Sequence, residues 1–343
     1  VPDLPYDEED IETVLRNIRP LSYGSSHQLG PDLEFKFMDA GHILGAASVL
    51  FESSTHNRRV LVSGDYSTFQ QETVLPSNWD AALSGDEKVD LLVSESTYGS
   101  DREKSRGQME KDFVNEIKSI TSNGGTALIP CFALGRAQEV ISILNRAFRR
   151  GELQPFKVFI DGMIDKINPI YENYNRLSIG EEFIHVRNVN SGYKRYEVID
   201  HSIRHPCAVV TTSGMMNGGP VLEYAKELLP NGKNRLLLCG YQDEESHGRK
   251  ILDLSNTDRR YRKLRLEADN GTPYEIDVAA PARLFSLSAH SDLAQMVDAI
   301  TRINPENVVL VHGEHAQREN LRRELTSKGL HVSPRPGLTI PAQ

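Results

Sequence analysis

From Thr126 onward, short apolar runs alternate with runs of helical periodicity, and no other feature constrains the fold of this chain as much. Thr126 to Pro130, Phe156 to Ile160, Ala208 to Thr212 and Arg235 to Cys239 each have a strand's length and composition. Helical patterns intervene. Gly135 opens one through Val140, Ile141, Ile143, Leu144 and Phe148, another begins near Ile164, and a third near Pro220. Such alternation predicts a parallel α/β layer with helices on both faces. Before it, Phe35 to Met38, Ser48 to Phe51 and Arg58 to Val62 predict short strands, and Val89 to Glu95 a buried one. After it, Ala282 to Ser288 and Asn307 to Val311 predict two more. Leu293, Met296, Val297 and Ile300 make one helix stripe there, and Arg318, Leu321 and Leu325 another. Near the start, Asp7-Glu8-Glu9-Asp10 followed by Ile11, Val14, Leu15 and Ile18 predicts a helix with a solvated acidic first turn. The charged run Asp101 to Arg106 reads as a linker, and His27 as a surface residue.

Composition narrows the classes of function. The 343 residues are 38% hydrophobic and 25% charged, enough for one large or two medium domains. A net charge of -9 excludes nucleic-acid binding through bulk charge. A polyanionic substrate then needs a local basic groove or metal ions. The densest basic run, Asp258 to Arg265, reads as a solvated strand or loop, with nucleic-acid contact as the alternative. Cys131, Cys207 and Cys239 form no CxxC pair and read as buried, reduced thiols of a cytoplasmic protein. No apolar run approaches membrane-spanning length and no signal-peptide pattern opens the chain. The expectation is a cytoplasmic location without a membrane partner.

Chemistry gathers at the strand ends. Asp39-Ala40-Gly41-His42 and Ser63-Gly64-Asp65 place an imidazole and a carboxylate just past two strands, among small residues that let an ion come close. That pair suits zinc or a similar divalent ion, although turns also collect such residues for their own hydrogen bonding. Ser288-Ala289-His290-Ser291-Asp292 and Val311-His312-Gly313-Glu314 repeat the pattern near the C-terminus, each opening a helical run. His315 reads as a helix-start residue. Glu95 ends an apolar strand, a usual place for a site in an α/β sheet. Ser213-Gly214-Met215-Met216-Asn217-Gly218-Gly219 is a Gly-rich strand-to-helix turn whose N–H groups could face a phosphate.

Together these motifs resemble the β-CASP group of the metallo-β-lactamase superfamily, which includes bacterial and archaeal RNA-processing nucleases and the pre-mRNA 3′-end endonuclease. Asp39 to Ala46 resembles the third metal motif, Ser63-Gly64-Asp65-Tyr66 the fourth, Ser94-Glu95-Ser96-Thr97-Tyr98-Gly99 motif A, Ser288 to Asp292 motif B, and Val311 to Glu314 motif C. Pro130 to Glu139 and Ser213 to Met216 match further hallmarks. The family's His-x-His-x-Asp-His motif occurs nowhere here; it belongs ahead of residue 1, so a preceding segment or another chain is expected to supply it, unless the protein is a degenerate relative. The resemblance implies an α/β fold, a metallo-β-lactamase αββα sandwich lacking its N-terminal portion, with an inserted β-CASP α/β domain. Residues 1–99 and 288–343 would form the first and 100–287 the second, with the cleft between them.

It implies zinc, two ions in the complete site, held by His42, Asp65 and His312, with Asp65 bridging. It implies water-mediated cleavage of RNA, endonucleolytic or exonucleolytic, with His290, Glu95 and Asp65 as catalytic groups. Glu95 would orient His290, which would act near the leaving oxygen. Arg136, Ser213, Gly214 and Gly218 are candidate phosphate contacts. RNA, single-stranded or structured, is the expected partner, and a homodimer is compatible. The alternative function is a noncatalytic partner or scaffold subunit of an RNA-processing complex.

Overall fold

The computed structural model describes residues 5–79, 88–100, 105–186, 194–255, 257, 262–267 and 272–334. The chain opens on α1 (Glu8–Asn17) and lays down β1 (Ser26–Gln28), β2 (Leu33–Asp39), β3 (Ala47–Ser53), β4 (Arg58–Val62) and β5 (Leu91–Glu95). Next come α2 (Arg106–Ser122), β6 (Thr126–Pro130), α3 (Arg136–Arg149), β7 (Lys157–Asp161), α4 (Ile164–Asn173), β8 (Phe183–His185), α5 (Arg195–Arg204), β9 (Cys207–Thr211), α6 (Val221–Leu228), β10 (Arg235–Leu238) and α7 (His247–Leu254). A hairpin, β11 (Lys263–Glu267) with β12 (Pro273–Asp277), leads to β13 (Ala282–Leu284). The chain then returns through α8 (Leu293–Ile303), β14 (Asn307–Val311) and α9 (His315–Ser327).

These elements make two six-stranded sheets, ordered β1-β2-β3-β4-β5-β14 and β13-β10-β6-β9-β7-β8. All pairings in the second sheet are parallel. Its central strands β6 and β9 are buried throughout, as expected where helices cover both faces. One apolar cluster packs α2, α3 and α4 on one face; another packs α5, α6 and α7 on the other. In the first sheet β2, β3 and β4 are antiparallel neighbours, whereas β4-β5 and β5-β14 are parallel. Consequently β2, β4, β5 and β14 all end on the same edge. A third cluster, including Leu50, Leu61, Leu92, Met296, Ile300, Leu310 and Leu321, packs α8 and α9 on this sheet. Among the described residues no helix is long and apolar enough to cross a membrane.

Most strand expectations are met, several to the residue, and the departures have local causes. The predicted strand from Ala282 stops at Leu284, where the chain turns and the Leu287 N–H bonds the Phe285 carbonyl. The hairpin was not foreseen, because charged residues alternate with its apolar ones; of the basic run, Asp258 to Tyr261 lie outside the described residues. Helix α1 forms where expected, capped by Asp7, but buries none of its residues. His27 is half-buried rather than a surface residue, packed beside Phe35. The three thiols are free and buried.

The linker expectation for Asp101 to Arg106 needs correction. Residues 101–104 lie outside the described residues, but Arg106 starts α2 and is largely buried in an ion-pair network. Its guanidinium meets Glu139 at 2.8 Å and Glu110 at 2.7 Å, and donates to the Ser288 carbonyl at 3.0 Å. Glu139 also accepts the N–H groups of Glu72 and Thr73 at 3.1 and 2.7 Å, and the Thr73 hydroxyl at 2.6 Å. Arg146 extends the network to Glu72 and Glu110. The two sheets are thus joined by charge where their cores are separate. Removing one member strands buried partners, so Glu139→Ala should lose about 3–5 kcal/mol of stability in urea denaturation. A loss under about 1 kcal/mol would show that the network contributes little.

Candidate metal and acid-base site

Four strand ends and one loop bring the candidate residues together. After β2, the Asp39 carboxylate accepts the Gly41 N–H at 2.8 Å. Gly41 has φ +69°, and a Cβ there would lie 2.5 Å from the Ser77 nitrogen, so only glycine lets the turn close. His42 follows. Its Nδ1 lies 3.1 Å from the Ala289 carbonyl, which can only accept, so Nδ1 carries the proton and Nε2 is left as a ligand atom. Burial, and then the nearby His290, push the His42 pKa below its ordinary value and favour the neutral ring that a metal requires.

Asp65 stands just past β4. Glu95 ends β5, is only 1% exposed, and pairs in register with Val311 of β14. His312 then adopts φ +46°, with its carbonyl held by the Ser96 N–H at 3.1 Å and the Thr97 hydroxyl at 3.2 Å. This turn brings His312 Nδ1 to 2.6 Å from Asp65 Oδ1.

His290 arrives from the other sheet, on the loop between β13 and α8. Asp292 caps α8 and is capped in return by Gln295, which fixes the helix start two residues beyond the imidazole. Glu95 grips His290 Nδ1 with both oxygens, at 2.8 and 2.9 Å. Burial alone would raise the Glu95 carboxyl. The hydrogen bond and charge of His290, with the Thr97 hydroxyl and Tyr66 N–H, outweigh it and hold the group below its ordinary pKa. An ionised Glu95 makes Nδ1 the donor and leaves Nε2 free for chemistry.

Two ligand groups result, each with its ligand atoms within 4.8 Å of one another: His42, Asp65 and His290, and Asp65, Glu95 and His312. Asp65 is common to both. Imidazole and carboxylate at this spacing fit a divalent ion of the zinc type. The expected trio is therefore brought together, but through Asp65 and not as one set: His42 and His312 fall in different groups. His290 also joins a ligand group, which its sequence context did not signal.

The rings of His42, His290 and His312 border a cavity of about 570 Å³ whose opposite wall comes from the second sheet. Of the phosphate candidates, Arg136 lines this cavity; Ser213, Gly214 and Gly218 do not. The Ser213 hydroxyl donates to the Gly218 carbonyl at 3.0 Å and closes its own turn, and Gly214 packs behind Phe132. Arg136 is buried with an Nη1 that has no hydrogen-bond partner. Burial, and then the Arg106 cation, pull its pKa down to about 10.

Comparison with known proteins agrees with this geometry. The Beta-Casp domain model matches residues 137–251, and a model described as the Zn-dependent metallo-hydrolase RNA specificity domain matches residues 275–333. An RNase J-like protein of Methanocaldococcus jannaschii is 34% identical, over 91% of this chain and 71% of that one. The probable RNase MJ4 of the same organism is 30% identical, over 98% and 75%. The transcription termination factor FttA of Cenarchaeum symbiosum is 29% identical over 92% of this chain, which spans 50% of that relative's length.

Because Asp65 serves both ligand groups, Asp65→Ala should weaken zinc binding at least about tenfold, read by elemental analysis after dialysis against buffered zinc. Wild-type metal content in that variant would rule out a shared role.

Proposed function

Since the chain belongs to the β-CASP group of the metallo-β-lactamase superfamily, a family of RNA-processing metallo-hydrolases, we propose that it hydrolyses RNA phosphodiester bonds with the help of zinc. The observation that carries this reading is the Glu95–His290 pair set beside two ligand groups that share Asp65, on one cavity. Residues 1–99 and 288–343 form the metal-bearing unit in this proposal, and residues 100–287 form the cap.

Phosphodiester hydrolysis needs an activated water, neutralised phosphoryl oxygens and a protonated leaving oxygen. His42, Asp65 and His312 would hold zinc, which when bound acidifies water and offsets phosphate charge. The protein's own groups do the rest. Ala289 orients the His42 ring through Nδ1. Glu95 holds the His290 proton at Nδ1 and stabilises the cationic ring, so that Nε2–H can be given to the leaving oxygen. The cap wall limits water access and brings Arg136, whose guanidinium bonds to nothing among the described residues, toward the phosphates. The Ser213–Gly218 turn supports that wall from behind.

His290 lies close enough to His42 and Asp65 to serve as a ligand instead, and the test separates the two roles. If it is the acid, His290→Ala lowers cleavage of a labelled RNA by about 10²- to 10⁴-fold with zinc content unchanged. Loss of zinc in the same protein makes it a ligand. Undiminished cleavage removes both roles.

A further inference from the structure

The wall facing the metal groups carries three large apolar side chains that fold formation leaves uncovered. Phe132 is 40% exposed, Leu134 45% and Tyr241 49%, and all three line the one cavity that His42, His290 and His312 also line. Scattered exposed apolar residues need no explanation, but a cluster of them in a cleft beside polar groups marks a surface that a ligand covers. The Phe132 ring is held in place. It packs on the backbone at Gly240, where an added Cβ would sit 3.3 Å from the ring, and at Gly214, where one would sit 3.2 Å from it. Bare glycine backbone on one side leaves the ring flat, firmly backed and open toward the cavity.

Resting on the nuclease reading above, we propose that Phe132 and Tyr241 form a stacking shelf for an unpaired nucleobase next to the scissile phosphate, so that the enzyme acts on single-stranded RNA. A lipid or an apolar peptide would also cover aromatic rings. Neither would answer the rest of the cavity: Arg136, a buried cation without a carboxylate or any other hydrogen-bond partner, and the metal-binding groups opposite. Aromatic faces beside a cation without a partner match a nucleotide, whose base is flat and apolar and whose phosphate is anionic. Stacking on a side chain needs a free base face, which a nucleotide inside a continuous duplex does not offer. The acidic balance of the chain makes such contacts more important, since bulk charge cannot hold a polyanion.

Binding is measured by fluorescence anisotropy on the zinc-loaded full chain carrying His290→Ala, with a short labelled single-stranded RNA or the same strand in a blunt duplex. Phe132→Ala and Tyr241→Ala should each weaken single-strand binding by about tenfold, and Phe132→Trp should restore it. The duplex should bind more weakly than the single strand and be indifferent to Phe132→Ala. Single-strand affinity that is unchanged in both alanine variants, or equal to that for duplex, or absent altogether, overturns the shelf. The nuclease reading fails separately, on a cleavage assay. A protein that binds through Phe132 but cuts nothing keeps the shelf; one that cuts RNA without regard to Phe132 keeps only the chemistry.

Discussion

The contact between Arg106 and Glu139 is the one on which the remaining architecture depends. Both side chains are nearly out of water, at 11% and 2% exposure, where an unmatched charge is costly. Every partner must therefore be present for the pair to be tolerated. Those partners come from three places: the Glu72–Thr73 segment beyond β4, the helices of the inserted layer, and the Ser288 carbonyl just ahead of His290. A hydrophobic contact would hold the layers together while letting them slide. A network of fixed donor and acceptor directions sets their mutual orientation, and with it the reach of His290 across to Glu95.

The site itself follows from sheet geometry. Parallel neighbours release their chains at the same edge, so residues far apart in sequence emerge side by side. Glu95 and His312 belong to paired strands, Asp65 leaves the next strand along, and His42 sits in the turn that follows β2 on that same edge. Loops can then adopt conformations that strands cannot. His312 occupies the left-handed region because neighbouring hydrogen bonds hold it there, a local strain of the kind found at functional sites.

Electrostatics divides the cleft. The metal edge concentrates carboxylates and imidazoles, a poor surface for RNA until cations bind. The facing wall carries an arginine without a partner and exposed rings, a poor surface for water. A polyanion with apolar bases satisfies both halves at once when metal is present, which is how a chain of net charge -9 can still take RNA as a substrate.

Much of this was legible in the sequence, for physical reasons that can be named. Strands such as Arg58–Val62, Thr126–Pro130 and Asn307–Val311 are continuous apolar runs bounded by turn residues, and burial on both sides demands that composition. The chemical side chains stood out because they sat just past those runs, where only loops can present them. The hairpin at Lys263–Asp277 was obscured by its charges, and Arg106 looked like linker because a buried ion pair has the composition of a surface. What the sequence by itself determined was the alternation of elements and the inventory of ligands and acids, since both are written in local pattern. Only the tertiary structure decided that Asp65 joins two ligand groups, that His290 stands between acid and ligand roles, and that Phe132 and Tyr241 face them, because these are distances between residues whose positions along the chain carry no information about proximity.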